Sequence, residues 1–135
     1  MEKVKAERTS KTRSGILLID DDELLCDVAS EFLVEAGYKV FTAGSGEEGL
    51  NVVSQNPGEI GLVISDMGLP GIGGAEVLKR IREVSPSMKL AAMSGFGGDA
   101  MLQQIKDANI GTFITKPFSR DDLLKLVDSF IGPAP

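Results

Sequence analysis

Histidine is absent from all 135 residues. That absence removes imidazole as a metal ligand, as a catalytic base and as a phosphohistidine carrier. Any chemistry here must rest on carboxylates, hydroxyls and lysine. Cysteine is nearly absent, with Cys26 standing alone, which excludes an internal disulfide framework and fits a reducing compartment. No apolar run approaches the roughly 20 residues of a membrane span, so a cytoplasmic protein without membrane contact is expected. Positive charge is also short. With 14 basic against 20 acidic residues the net charge is −6, a poor balance for neutralising a phosphate backbone or anionic lipid. Direct nucleic-acid binding is not expected.

The chain has the length of one ordinary domain, enough to bury a core without staples. Residues 1–14, "MEKVKAERTSKTRS", are polar, locally basic and without apolar periodicity, and read as a mobile arm or linker. From Gly15 short apolar runs alternate with helical stripes. "ILLI" at 16–19 precedes Leu24, Leu25, Val28, Ala29, Phe32, Leu33 and Ala36, a stripe closed by Gly37. "KVFTA" at 39–43, "LVIS" at 62–65, "LAAM" at 90–93 and "TFIT" at 112–115 each precede a further stripe. Five strand–helix units in tandem predict an open, doubly wound α/β domain over residues 15–131, with a parallel sheet flanked by five helices and a short tail at 132–135.

In that class ligands bind at the carboxyl ends of the strands. The first strand ends in Asp20-Asp21-Asp22, the third in Asp66, the fourth in Ser94 and the fifth in Lys116. The second ends in Ala43, which has no chemistry; an outer position for that strand, as in the order 2-1-3-4-5, accounts for this. A lone aspartate after a strand is usually a turn former or cap, and a lone lysine is usually solvated. Four coincident polar ends are harder to dismiss. If Asp20, Asp21 and Asp66 converge, their repulsion must be relieved by raised pKa values or by a cation. With only hard oxygen ligands, that cation is Mg²⁺, with Mn²⁺ as its substitute. Lys116 supplies a second positive charge, and Asp22, just before a helix, is expected to cap it. Such a cleft suits phosphoryl transfer, with a carboxylate as nucleophile.

The motifs "ILLIDDD", "LVISDMGLPGIGG", "AAMSG" and "FITKPF" resemble, in order and spacing, the receiver domain of two-component response regulators, across essentially all of residues 15–131. The resemblance implies a flavodoxin-like fold and a phosphoacceptor switch that catalyses only its own phosphorylation and dephosphorylation. It further implies that Asp66 accepts phosphoryl from a histidine kinase or histidine phosphotransfer domain. Asp21, Asp66 and the carbonyl of Gly68 would bind Mg²⁺, with Asp20 assisting through water. Ser94 would contact the phosphoryl group, Lys116 would pair with it, and the Lys116-Pro117 peptide would be cis. In the implied switch Ser94 moves toward the phosphoryl group and Phe113 turns inward; the bland alternative makes Phe113 a core residue. Gly68 and Phe96 would flank the path of hydrolytic water.

Two departures stand out. Gly73 replaces a frequent aspartate and leaves the next helix with a weaker cap. The last helix, "SRDDLLKLVDSF", lacks the charge pattern of receivers that dimerise through their final helices, so a monomer or weak dimer is expected. "SGFG" after the fourth strand resembles receivers within hybrid sensor kinases; the chain is then part of a longer protein, or a separate regulator docking on a downstream target.

Competing readings remain. "GSGEEG" at 44–49 fits G-x-G-x-x-G, and Asp66 follows roughly 20 residues on, as in dinucleotide folds. But it follows the second strand, and Glu47 and Glu48 would repel a pyrophosphate. Ser45 with Glu48 makes an S-x-x-E capping box instead, leaving Gly49 merely tolerated. A Mg²⁺-dependent phosphohydrolase with Asp20 as nucleophile and Asp22 as acid/base would leave Asp66 unexplained. An interaction module with a vestigial site is the third alternative.

Overall fold

The computed structural model describes residues 15–95 and 99–131. The arm at 1–14, the tail at 132–135 and Phe96 lie outside the described residues. Five strands alternate with five helices among those described: β1 Gly15–Ile19, α1 Glu23–Glu35, β2 Lys39–Ala43, α2 Gly46–Gln55, β3 Ile60–Asp66, α3 Gly74–Val84, β4 Lys89–Ser94, α4 Asp99–Asp107, β5 Phe113–Thr115 and α5 Arg120–Ile131. All pairings are parallel and the order is β2-β1-β3-β4-β5.

Strand alternation divides the core in two. Leu17, Ile19 and Val63 pack with Val77, Leu78 and Ile81 of α3 on one face. Ile16, Leu18, Leu62 and Ile64 pack with Leu33 of α1 and Leu123 and Val127 of α5 on the other. Because both faces are covered, β1 is buried at every position. Helix α1 begins where the Asp22 carboxylate accepts the Leu25 N–H at 3.1 Å. It ends where Gly37 turns left-handed, φ 100°, and the Tyr38 N–H reaches the Leu33 carbonyl at 3.0 Å.

The apolar stripe of α1 is wider than its buried face. Cys26, Ala29 and Leu33 are buried, whereas Leu24 is 71% exposed and Val28 43%. A helix on one face of a sheet covers only a limited arc, so the outer members of a broad stripe remain in solvent.

The glycines of "GSGEEG" serve packing. A Cβ on Gly46 would stand 2.4 Å from Val77 Cγ2, and one on Gly49 would stand 2.5 Å from Cδ1 of the fully buried Ile19. Gly49 therefore has a packing role where α2 crosses β1, since a side chain there would have to displace Ile19. The capping box forms with one displacement. Ser45 Oγ accepts the Glu48 N–H at 3.1 Å, but Glu48 Oε1 accepts from the Gly44 N–H at 2.8 Å, one residue before the cap. Both acidic side chains of the first turn thus stay on a helix terminus already satisfied from within.

Candidate functional site

The carboxyl ends of β1 and β3 are adjacent because Ile19 pairs with Ser65, and β4 follows because Asp66 pairs with Met93. That register brings together residues far apart in the chain. One carboxylate oxygen from each of Asp20, Asp21 and Asp66 lies within 4.8 Å of the others, with Asp20 and Asp66 buried and Asp21 exposed. Lys116, beyond β5, reaches back across the sheet edge: its Nζ is 2.7 Å from Asp20 Oδ2 and 3.2 Å from Asp66 Oδ1. Its backbone N–H donates to the Ser94 carbonyl at 2.8 Å, and the Lys116-Pro117 peptide is cis.

Ser94 closes β4 one residue past the Met93–Asp66 pairing and is buried. Phe113 opens β5, opposite Ala92. It is 43% exposed, which overturns the plain core reading of that ring. Gly68 lies against Asp66: its backbone hydrogen-bonds the Asp66 carboxylate, and a Cβ there would be 3.7 Å from Asp66 Oδ2. Gly73 is the N-cap of α3 and provides no side-chain bond.

Charge decides how these groups titrate. Burial, then the negative charge of Asp20, raises the Asp66 carboxyl above its ordinary value of 3.8, against the opposing pull of Lys116 and the Gly68 backbone. Burial alone would lower Lys116, but its bond to Asp20 and the charge of Asp66 outweigh that and raise it above 10.5. One ammonium between two buried carboxylates leaves a net negative charge. Three hard carboxylate oxygen donors fit Mg²⁺, which favours carboxylates and retained waters.

The same bonds disfavour the phosphohydrolase. Asp20 Oδ2 takes the lysine, Oδ1 accepts the Asp22 N–H at 2.9 Å, and the Asp22 carboxylate is occupied capping Leu25. Asp22 is thereby committed to capping rather than to acid/base work, and Asp66 would have no part in that reaction. Sequence reasoning missed Gly74. A Cβ there would lie 2.1 Å from the Asp66 carbonyl oxygen, and the only signal was the doubled glycine in "GIGG".

Comparison with known proteins agrees with the geometry. Sporulation initiation phosphotransferase F of Bacillus subtilis (strain 168) is 29% identical over 116 residues, covering 86% of this chain and 92% of that protein. Sensor kinase CckA of Brucella abortus (strain 2308) is 32% identical over 86% of this chain but only 12% of its own length. For the transcriptional regulatory protein GlrR of Escherichia coli (strain K12), also 32% identical, the covered shares are 84% and 25%. Among solved structures, a CheY-like response regulator receiver domain protein from Methanospirillum hungatei JF-1 superposes with a TM-score of 0.81 at 27% identity, covering 87% of this chain and 93% of that one. A receiver domain protein from Clostridium thermocellum gives 0.79 at 29%, with coverage of 87% and 94%. The model of the response regulator receiver domain matches residues 16–128, and the chain belongs to that family of two-component signalling modules.

Proposed function

We propose that Asp66 is the phosphoacceptor of this receiver, taking a phosphoryl group from a histidine kinase or histidine phosphotransfer domain and releasing it later to water. The carrying observation is the convergence of Asp20, Asp21 and Asp66 within 4.8 Å, with Lys116 bonded to two of them. In the transfer an Asp66 oxygen forms a bond to phosphorus, the phosphorus–nitrogen bond of the donor phosphohistidine breaks, and that nitrogen keeps the electron pair until it is protonated. The attacking carboxylate needs no base while it is ionised. The ion would be held by Asp21, Asp66 and the Gly68 carbonyl, with Asp20 assisting through water. Mg²⁺, or Mn²⁺ in its place, would supply positive charge to offset that of the phosphoryl oxygens. Lys116 supplies the fixed part of that charge and pairs with the phosphoryl group once it has arrived.

The switch follows from the added charge, roughly −1.5 to −2 with new acceptor oxygens. Ser94 moves to donate to them, and Phe113, half-exposed on β5, turns into the space left behind. The backbone bond between Lys116 and Ser94 and the pairing of Ser94 with Thr115 link the two positions. The readout goes to a downstream protein or an attached output domain, since the relatives include both a protein of nearly this length and proteins several times longer. We place the domain in the cytoplasm as a monomer or weak dimer, without direct nucleic-acid contact; among the described residues no helix is long and apolar enough to cross a membrane.

Incubation with Mg²⁺ and acetyl phosphate, followed by peptide mass mapping, tests the assignment. One phosphoryl group is expected on Asp66, with none on the Asp66→Asn variant. Label on Asp20 together with turnover of phosphate esters would return the phosphohydrolase. No label at all would leave an interaction module with a vestigial site.

A further inference from the structure

We propose that Gly74 is a positioning residue of the site: lacking a side chain, it lets the loop between β3 and α3 close onto the backbone of Asp66, which holds Gly68 against the Asp66 carboxylate. A Cβ at this position would meet the Asp66 carbonyl oxygen at 2.1 Å, the Met67 Cα at 2.8 Å and the Asp66 carbonyl carbon at 2.9 Å. All three are backbone atoms of the last strand residue and the turn residue after it, so no rotamer change relieves the overlap. The requirement is one of space, whereas Gly71 in the same loop is held by its left-handed φ of 76°. Gly73, the immediate neighbour, has nothing within 4 Å of its Cβ position. The two glycines of the doublet are thus not equivalent.

The loop is also fixed elsewhere. The Met67 N–H donates to the Met93 carbonyl at 2.8 Å, and Met67 and Leu69 are buried beneath it. Within this frame Gly74 is the point where the outgoing helix touches the incoming strand. A side chain there must either lift the start of α3 or rotate the Asp66–Met67 peptide. Both movements separate Gly68 from the Asp66 carboxylate.

The inference rests on reading Asp66 and Gly68 as cation ligands, and the experiment separates the two. Calorimetric titration with Mg²⁺ alone is performed on the full chain and on Gly74→Ala, Gly73→Ala and Gly15→Ala, with the Gly68 amide followed by ¹⁵N-edited NMR. Gly15→Ala is the matched control. Its Cβ would meet the Glu59 carbonyl oxygen at 1.9 Å, an equal clash at the opposite end of β1. Gly74→Ala is expected to fold and to weaken Mg²⁺ binding roughly tenfold or more, the range seen when supports of metal ligands are removed, with a displaced Gly68 amide resonance. Gly73→Ala and Gly15→Ala should bind as the wild type does, the latter with a lower unfolding midpoint. A wild type that does not bind Mg²⁺ sinks the ligand reading. Wild-type affinity in Gly74→Ala, equal loss in Gly15→Ala or Gly73→Ala, or a Gly74→Ala chain that fails to fold overturns the positioning role.

Discussion

The Nζ of Lys116 lies 2.7 Å from Oδ2 of Asp20, a bond spanning the cleft between residues 96 positions apart. The same ammonium reaches Asp66, so a single cation offsets two buried carboxylates. Removing it leaves both uncompensated. Lys116→Ala is expected to cost about 2–3 kcal/mol at neutral pH without divalent ions, somewhat under the usual penalty for breaking a buried pair because the lysine retains some solvent contact. Mg²⁺ should recover part of the loss. Asp20→Asn should cost less, because it also relieves the repulsion on Asp66. Urea midpoints with and without Mg²⁺ decide; equal losses in both variants would count against this electrostatic account.

Stability without metal should depend on pH in two windows. The folded Asp66 carboxyl titrates above its ordinary 3.8, so the folded state binds its proton more tightly than the unfolded chain does. Its contribution is therefore greatest below 3.8 and is lost as pH rises through the folded value. Lys116 titrates above 10.5; its contribution is complete below 10.5 and disappears as pH climbs through the folded value. Asp66→Asn should flatten the acid-side decline and Lys116→Ala the alkaline one. On the proposed ligand set protons would compete with Mg²⁺ at Asp66, so wild-type affinity should fall as pH drops through the raised value. Denaturation series and Mg²⁺ titrations across pH check all three.

Gly49→Ala sets two effects against each other. Alanine is favoured over glycine within a helix by about 1 kcal/mol. The clash with buried Ile19, at 2.5 Å, is an overpacking of the kind that costs about 1–3 kcal/mol. The net outcome expected is destabilisation, by up to about 2 kcal/mol. A variant more stable than wild type in urea would show that Ile19 can yield.

Cys26 should be inert in the folded protein. It is buried, and burial with the charges of Asp20, Asp22 and Asp27 pushes the thiol up to about 11 from 9.0. Because the thiolate is the nucleophile, alkylation by iodoacetamide at mildly alkaline pH should be slower than for an unfolded thiol by roughly a hundredfold or more. Comparing rates in buffer and in urea measures it.

Phe113→Trp would introduce the sole tryptophan of the chain at a half-exposed position. Addition of beryllofluoride with Mg²⁺, a stable mimic of the acyl phosphate, should shift its emission to the blue as the ring becomes buried. An unchanged spectrum despite bound mimic would exclude residue 113 from the switch.

Much of the site was legible in the sequence because a parallel sheet collects its strand ends along one edge. Once the five strands were recognised, Asp20, Asp21, Asp66, Ser94 and Lys116 had to share that edge, whatever the loops did. The side-chain commitments were not legible. Asp20 stands in the same aspartate run as Asp21, yet both its oxygens are engaged while Asp21 is exposed.

The sequence by itself determined the layered α/β architecture, since alternating apolar runs and helical stripes can bury their faces in few other ways, and the bare end of the second strand at Ala43 pointed to the strand order. It also determined which chemistry was available, because a chain without histidine has carboxylates and a lysine to work with. Only the tertiary structure decided which glycines leave no room for a side chain, how far the α1 stripe is buried and how one lysine is divided between two aspartates. These depend on distances of a few ångströms between atoms remote in the chain, and no local pattern carries that information.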